Sequence, residues 1–113
     1  MGYCRALRCG PHIWVTGTAP VADDGATYAP GDPYAQTARC IAIIEKSLAG
    51  LDAGLEHVVR TRLYVTDITR WEAIGRAHKA AFGDHPPATT MVQVSQLIAP
   101  DMMIEVEAEA FVE

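Results

Sequence analysis

The sequence has few cysteines and no apolar run long enough to cross a membrane. Its three cysteines, Cys4, Cys9 and Cys40, form no C-x-x-C pair. That spacing argues against a disulfide framework and against a tetrahedral zinc site. Reduced thiols are typical of cytoplasmic proteins, and the start of the sequence lacks the hydrophobic stretch needed for export. Because nothing approaches the roughly 20 apolar residues of a membrane span, we expect a cytoplasmic protein without a membrane segment.

Basic residues are also in the minority. Nine Lys and Arg stand against 14 Asp and Glu, giving a formal net charge of -5. Binding to nucleic-acid phosphates needs clustered Lys and Arg, so this balance argues against a broad nucleic-acid surface. The four histidines stand at no metal-ligand spacing, and neither serine lies in a nucleophile elbow. The stretch "GTAPVADDG" lacks the lysine and the spacing of a phosphate loop, so we expect neither a metal nor a cofactor.

What the sequence does contain predicts one α+β domain over residues 1–113, with element order ββαβαββ. A single antiparallel or mixed sheet with two helices on one face satisfies the rule that elements pack in layers. No helix is left to cover the other face, which must meet water or a partner. The apolar content of the strands favours a partner, and a closed small oligomer is its usual form.

Local patterns assign several side chains to a face. In "HVVRTRLYVTD", strict alternation predicts that one face carries Val59, Thr61, Leu63 and Val65 and the other carries Val58, Arg60, Arg62 and Tyr64. The second helix is predicted to begin with a capping box formed by Thr69 and Glu72. Helical spacing also predicts that Trp71 points inward.

The last strand, "IEVEAEAF", places Glu105, Glu107 and Glu109 on one face, roughly 7 Å apart at successive positions. The simplest interpretation of Glu107 and Glu109 is a solvated edge strand whose charges discourage strand addition. If this face instead lies against another subunit, a partly desolvated carboxylate there could accept a proton or orient a water molecule.

Four stretches in this order resemble the RidA (YjgF) family, also known as L-PSP endoribonucleases. They are "IWVTGTAPV", "DPYAQTARCIAIIEKSLAGLDAGLEHVVRTRLYVTDI", "PPATTMVQVSQL" and "IEVEAEA". The resemblance covers the chain from about Arg5 to Phe111. It implies a chorismate-mutase-like fold and a homotrimer assembled through the sheet faces, with three clefts between neighbouring subunits.

The resemblance also implies an activity and a set of site residues. Members of the best-studied branch hydrolyse enamines and imines, releasing ammonia and a 2-oxo acid. By resemblance, Gly17 matches a glycine that lines the cleft. Glu105 matches a glutamate that positions the attacking water. Thr89 and Met91 match an arginine and a cysteine at the substrate-binding position.

The threonine is the main departure from the family pattern. The arginine that pairs with the substrate carboxylate is replaced by Thr89, whose hydroxyl has neither the charge nor the two-pronged geometry of a guanidinium. The family's asparagine on the second helix becomes Gly75. Arg5, Arg8 and Arg76 are candidates for a replacement cation, although the simpler interpretation of each is a surface charge.

These observations lead to one hypothesis and two alternatives. The hypothesis is a RidA-like homotrimer that binds a small metabolite between subunits and hydrolyses an imine or enamine other than the usual 2-imino acid. One alternative is a non-catalytic ligand-sensing or partner-binding module that kept the cleft. The other, endoribonuclease activity, rests on the family label alone and conflicts with the acidic charge.

Overall fold

The computed structural model describes all 113 residues and contains one five-stranded sheet with two helices on one face. The strands are β1 (Ala6–Cys9), β2 (His12–Thr18), β3 (Val58–Val65), β4 (Ala88–Gln93) and β5 (Ile104–Phe111). The helices are α1 (Pro33–Ala49) and α2 (Trp71–Phe82), and short 3₁₀ helices at Leu55–His57 and Ile68–Arg70 precede β3 and α2. The predicted α+β class and element order are confirmed.

The sheet is mixed, with the strand order β1-β2-β5-β3-β4. Strand β4 runs parallel to β3, and every other neighbouring pair is antiparallel. Although β5 comes last in the sequence, it lies in the middle of the sheet, between β2 and β3. The interpretation of Glu107 and Glu109 as residues of an edge strand is therefore wrong, because β5 is paired on both sides.

Alternation along β5 sets the position of the core. Ile104, Val106, Ala108 and Ala110 are buried beneath the helices, as predicted. Helix α1 begins directly after Asp32, because the Asp32 carboxylate accepts a hydrogen bond of 3.0 Å from the backbone N–H of Ala35. The helices thus leave one sheet face uncovered, which we call the open face.

The alternation predicted for β3 is wrong at its first residues. Val58 is 4% exposed and Val59 is 49% exposed, so Val58 is the residue that faces the helices. The pairing between β3 and β5 shifts register between Val58 and Arg60. An extra residue in one strand reverses the faces before it, which simple alternation cannot anticipate.

The start of α2 also differs from the prediction. The Asp67 carboxylate accepts hydrogen bonds from the backbone N–H and the hydroxyl of Thr69, at 3.0 and 2.6 Å. The Thr69 backbone N–H, which Glu72 would accept in a capping box, is thus bonded to Asp67 instead, and α2 begins only at Trp71 without a side-chain cap. The Trp71 side chain is 56% exposed, so the prediction that it points inward is wrong.

Neither helix has the length and hydrophobicity that crossing a membrane requires.

Candidate functional site

Gly17 and Glu105 are in direct contact across neighbouring strands. The register of β2 on β5 shifts between Val15 and Thr18, which places Gly17 over the side chain of Glu105. A Cβ atom at Gly17 would lie 2.8 Å from Oε2 and 3.2 Å from Cδ of Glu105. Only glycine therefore leaves room for the carboxylate in this position.

The Glu105 carboxylate is available for chemistry. It is half-buried and belongs to none of the ion pairs of the chain. Its charge also reaches the buried Cys40, whose thiol pKa is raised well above its ordinary value, first by burial and second by the negative charge of Glu105. A carboxylate without a cationic partner keeps its lone pairs free to accept hydrogen bonds from a ligand or a water molecule.

Gln36 on α1 fixes the start of β5, two residues before Glu105. The Gln36 side chain is 0% exposed. Its Oε1 accepts the backbone N–H of Met103 at 2.8 Å, while its Nε2 donates to the carbonyl oxygens of Asp101 at 2.9 Å and Ala29 at 3.4 Å. These bonds link helix, loop and strand, and so hold the backbone that carries Glu105.

Of the three arginines considered as replacement cations, Arg5 lies beside the Gly17 segment. Its Nη1 donates to Oγ1 of the fully buried Thr18 at 3.0 Å. Arg8 instead donates to the carbonyl oxygens of Gly10 and Leu51. Arg76 is exposed on α2 and takes part in no ion pair. Of the three, only Arg5 thus forms a hydrogen bond with a residue adjacent in sequence to Gly17.

Thr89 and Met91 lie on the other face of the sheet. In the parallel pairing of β3 and β4, Thr89 stands opposite Thr61 and Met91 opposite Leu63, both buried beneath the helices. The Thr89 hydroxyl lies 2.8 Å from Oγ1 of Thr61 and 3.2 Å from the carbonyl oxygen of Pro87. Met91 packs against the hydrophobic core.

The four predicted site residues therefore form two pairs that do not meet within one chain. Gly17 and Glu105 touch on the open side of the sheet, whereas Thr89 and Met91 turn towards α2 at the β4 edge. That they combine across a boundary between copies remains a prediction.

A charged cluster occupies the centre of the open face. Arg62 Nη1 lies 2.9 Å from Oε1 of Glu109 and 3.4 Å from Oε1 of Glu107. The Tyr64 hydroxyl donates to Glu107 at 2.6 Å. This hydrogen bond, with burial, raises the pKa of Tyr64, and the bond to Glu109 raises the pKa of Arg62. Glu107 and Glu109 thus have partners, which distinguishes them from Glu105.

Large apolar side chains surround this cluster. Leu7, Trp14, Val92 and Phe111 lie on the open face and are 37–55% exposed. A cavity of about 360 Å³ opens among Tyr3, Leu7, Trp14 and the charged cluster. Trp14 is thus not a core residue, and its exposure is typical of a surface that a partner covers.

Sequence reasoning missed two polar residues near Thr89. His78 on α2 lies 2.9 Å from Oγ1 of Thr61 through its Nε2 atom. The Arg60 guanidinium donates to the hydroxyl of Thr90 at 2.6 Å, next to Thr89 on β4. No spacing in the sequence links these residues, because β3 and β4 pair only in the folded chain.

The structure brings no three His, Cys, Asp or Glu side chains together as a metal site would need. At Gly17 and Glu105 the protomer supplies a carboxylate and a neighbouring backbone segment.

Comparison with known families agrees with this architecture. The family model described as "Endoribonuclease L-PSP" matches residues 1–112. The chain is 34% identical to the "Uncharacterized protein SCO2049" of Streptomyces coelicolor over 110 residues, which cover 97% of this chain and 81% of that protein. It therefore belongs to the L-PSP family, also known as RidA or YjgF.

Two further relatives also match nearly the whole chain. The crystal structure of Rv2704 from Mycobacterium tuberculosis, described as a member of the YjgF/YER057c/UK114 family, has a TM-score of 0.88 and 46% identity, covering 98% of this chain and 87% of that one. The "3-aminoacrylate deaminase RutC" of Acinetobacter baylyi is 27% identical over 110 residues, covering 97% of this chain and 86% of its own length. The predicted family and fold are confirmed.

Proposed function

We propose that this protein is a homotrimer that binds a small metabolite between subunits and hydrolyses a neutral imine or enamine. The observation that carries the proposal is the free Glu105 carboxylate, held against Gly17 with no cationic partner. A relative at 27% identity is named a 3-aminoacrylate deaminase, which acts on an enamine by that name. The three free thiols are compatible with the cytoplasmic location predicted from the sequence.

Assembly is supported by the chemistry of the open face. Its exposed Leu7, Trp14, Val92 and Phe111 would lose contact with water in a trimer. The proposed cleft further requires that association bring the β4 edge of one copy towards the Gly17 segment of the next. Light scattering at micromolar concentration should give three times the protomer mass, and a monomer would remove the cleft.

Glu105 would act on water. Its carboxylate accepts a proton as the water oxygen adds to the C=N carbon of the imine, or of the imine tautomer of an enamine, and returns that proton to nitrogen to give a neutral carbinolamine. Glu105 then takes the hydroxyl proton as the C=O bond forms and delivers it to the nitrogen as the C–N bond breaks, so that ammonia and a carbonyl product are released. The overall reaction consumes one water and needs no oxidant or reductant.

Thr89 sets the expected substrate class. A hydroxyl cannot replace the charged, two-pronged hydrogen bonds that an arginine makes to a carboxylate. The loss of one charged hydrogen bond corresponds to roughly 1.5–3 kcal/mol, or about ten- to a hundredfold in binding. The substrate that fits is therefore an imine or enamine without a carboxylate at this position.

The test measures competition with semicarbazide, which traps imines. A flavin amine oxidase acting on simple amines supplies imines without a carboxylate, and an amino-acid oxidase supplies 2-imino acids. We expect slower semicarbazone formation with the first class and little effect on the second. Thr89→Arg should shift the preference towards 2-imino acids.

Two variants on one strand provide the control. Glu105→Gln should lose about 10²- to 10⁴-fold in hydrolysis, the usual contribution of a general base. Glu107→Gln, at the next position on the same face, should retain activity. Equal activity of wild type and Glu105→Gln would refute the assignment.

A non-catalytic ligand-sensing or partner-binding module is the second candidate. It is favoured by the absence of an arginine at Thr89 and by the engagement of that hydroxyl with Thr61 and Pro87. A thermal-shift screen of neutral metabolites and 2-oxo acids tests it, since a ligand at about 100 times its Kd adds about 2.7 kcal/mol to stability. Binding without turnover of any imine would support this candidate over the hydrolase. Cleavage of RNA by the protein, measured in parallel, would favour an endoribonuclease instead.

A further inference from the structure

Three side chains from three elements form a continuous hydrogen-bonded chain that ends at Thr89. His78 Nε2 on α2 lies 2.9 Å from Oγ1 of Thr61 on β3. The same Oγ1 lies 2.8 Å from Oγ1 of Thr89 on β4. We call these three residues the His78–Thr61–Thr89 chain. Its outer end is accessible, because Thr89 is exposed, whereas Thr61 is 0% exposed.

The chemical inventory of these groups allows only two arrangements of protons. A threonine hydroxyl has one proton to donate and two lone pairs to accept with. If Thr61 donates to His78, it must accept from Thr89, and the oxygen of Thr89 then faces outward as an acceptor. If His78 donates to Thr61, then Thr61 donates to Thr89, because the Thr61 hydroxyl is buried and its proton has no other acceptor within hydrogen-bonding distance. Thr89 must in that case donate to the Pro87 carbonyl or to a ligand.

The charge state of His78 decides which arrangement is open. Neutral imidazole permits both arrangements. Imidazolium, with a proton on each nitrogen, permits only the second, in which His78 donates to Thr61 and Thr89 donates to Pro87 or to a ligand. Burial lowers the pKa of His78 below its ordinary value of 6.5, so the ring is neutral at neutral pH. The Phe82 ring, with its centroid 4.7 Å away, contributes to this apolar surrounding.

No ionic group is responsible for this shift, since burial is its single cause. The other charged or titratable residues on the elements around His78 are Glu72, Arg76 and Lys79 on α2, Tyr34, Arg39, Cys40, Glu45 and Lys46 on α1, Glu56, His57 and Arg70 on the 3₁₀ helices, and Arg60, Arg62 and Tyr64 on the opposite face of β3. Any pH response of the chain is therefore assigned to His78 itself.

We propose that the His78–Thr61–Thr89 chain determines specificity at Thr89: it lets Thr89 accept a hydrogen bond from an uncharged N–H group of the ligand only while His78 is neutral, and it restricts Thr89 to donating once His78 is protonated. This inference rests on the proposed function of the cleft at Thr89, and it adds the type of ligand group that Thr89 binds. An imine, enamine or amide N–H fits the neutral state, whereas a carboxylate would require the donor state. The chain thus gives a physical reason for the exchange of an arginine for a threonine at this position.

The first experiment tests the chain without any ligand. The ring nitrogens of His78 are followed by NMR as a function of pH in wild type, Thr89→Val and Thr89→Ser. Valine keeps the shape of threonine and removes the hydroxyl, whereas serine keeps the hydroxyl. We expect the midpoint of His78 to move in Thr89→Val and to stay within error in Thr89→Ser. An unchanged midpoint in Thr89→Val would overturn the chain.

The second experiment tests the ligand preference with two neutral probes of similar size. Pyrrole donates an N–H hydrogen bond and has no strong acceptor, whereas tetrahydrofuran only accepts, and neither changes charge near neutral pH. Affinities are measured from shifts of the Thr89 methyl signal, one pH unit above and one below the measured midpoint of His78. We expect the pyrrole-to-tetrahydrofuran affinity ratio to fall about two- to tenfold at the lower pH, the worth of one hydrogen bond.

Matched variants separate the proposal from its alternatives. In His78→Gln the ratio should not change with pH, while in His57→Gln, with a histidine outside the chain, it should change as in wild type. A ratio independent of pH in wild type, or equally dependent on it in His78→Gln, would overturn the proposal. If the ratio responds as expected but no imine is hydrolysed, only the proposed catalysis fails. If imines are hydrolysed and the ratio stays flat, only this inference fails.

Discussion

Replacement of Gln36 by methionine tests the link between α1 and the strand that carries Glu105. Methionine matches the length of glutamine but neither accepts the Met103 N–H nor donates to the Asp101 and Ala29 carbonyl oxygens. The bonds at 2.8 and 2.9 Å are the strong ones, and the third, at 3.4 Å, adds little. Gln36 is fully buried, so its partners lose their bonds with limited compensation from water.

Each buried group left without a partner costs about 1–3 kcal/mol. Two groups lose a strong bond, and water partly relieves both because Met103 is half-buried and Asp101 is exposed, so we expect a loss of about 2–4 kcal/mol. Urea denaturation at fixed protein concentration measures the change, since ΔG extrapolates linearly to zero denaturant. Gln93→Met is the matched control. Gln93 is exposed and accepts one hydrogen bond, from the Ile68 N–H at 2.9 Å. The unfolding free energy of Gln93→Met should therefore stay within about 0.5 kcal/mol of the wild-type value. Equal losses in the two variants would refute the reasoning.

Three more perturbations test the site and the core. Gly17→Ala forces the Glu105 carboxylate from 2.8 Å to an ordinary contact of at least 3.4 Å, a shift of 0.6 Å; hydrolysis of imines should fall at least tenfold, while urea denaturation changes by less than about 1 kcal/mol. Retained activity would mean that this contact does not position the carboxylate. Phe82→Ala removes a fully buried ring and should cost about 3–5 kcal/mol in urea denaturation; a loss below about 1 kcal/mol would contradict its burial. Because burial lowers the pKa of His78 in the folded state, the unfolded chain takes up this proton first as pH falls below 6.5; unfolding free energy should therefore decrease there in wild type and less in His78→Gln. Identical pH profiles of the two proteins would contradict this assignment.

Much of the fold could be predicted, because it depends on local patterns. The alternation of β5 and the Asp32 cap of α1 need only the period of a strand and the chemistry of one carboxylate. The faces of Val58 and Val59 could not be predicted, because a register shift belongs to the pairing of two strands. Trp71 was assigned inward because its spacing from the apolar residues of α2 suits one helix face. Asp67 instead caps a 3₁₀ helix at Ile68–Arg70, so Trp71 is the first residue of α2 and its side chain is exposed.

The site was harder to predict from the sequence, because it too depends on which strands pair with each other. The contact between Gly17 and Glu105 agrees with their assignment by family resemblance, although no pattern in the sequence brings the two strands together. The link from His78 to Thr89 depends on the parallel pairing of β3 with β4, which joins residues distant in the chain. The central position of β5 could not be predicted either, because the order of strands in the sequence does not determine their order in the sheet.

The buried thiol on α1 has a practical consequence. Cys4 and Cys9 are exposed in the protomer, whereas Cys40 is 0% exposed and its thiol resists ionisation. Since only the thiolate attacks alkylating reagents, Cys40 should be labelled solely when the chain opens, and its labelling rate would report the opening equilibrium of α1 without any denaturant. The protein thus contains its own chemical reporter of folding, which mass spectrometry can read residue by residue.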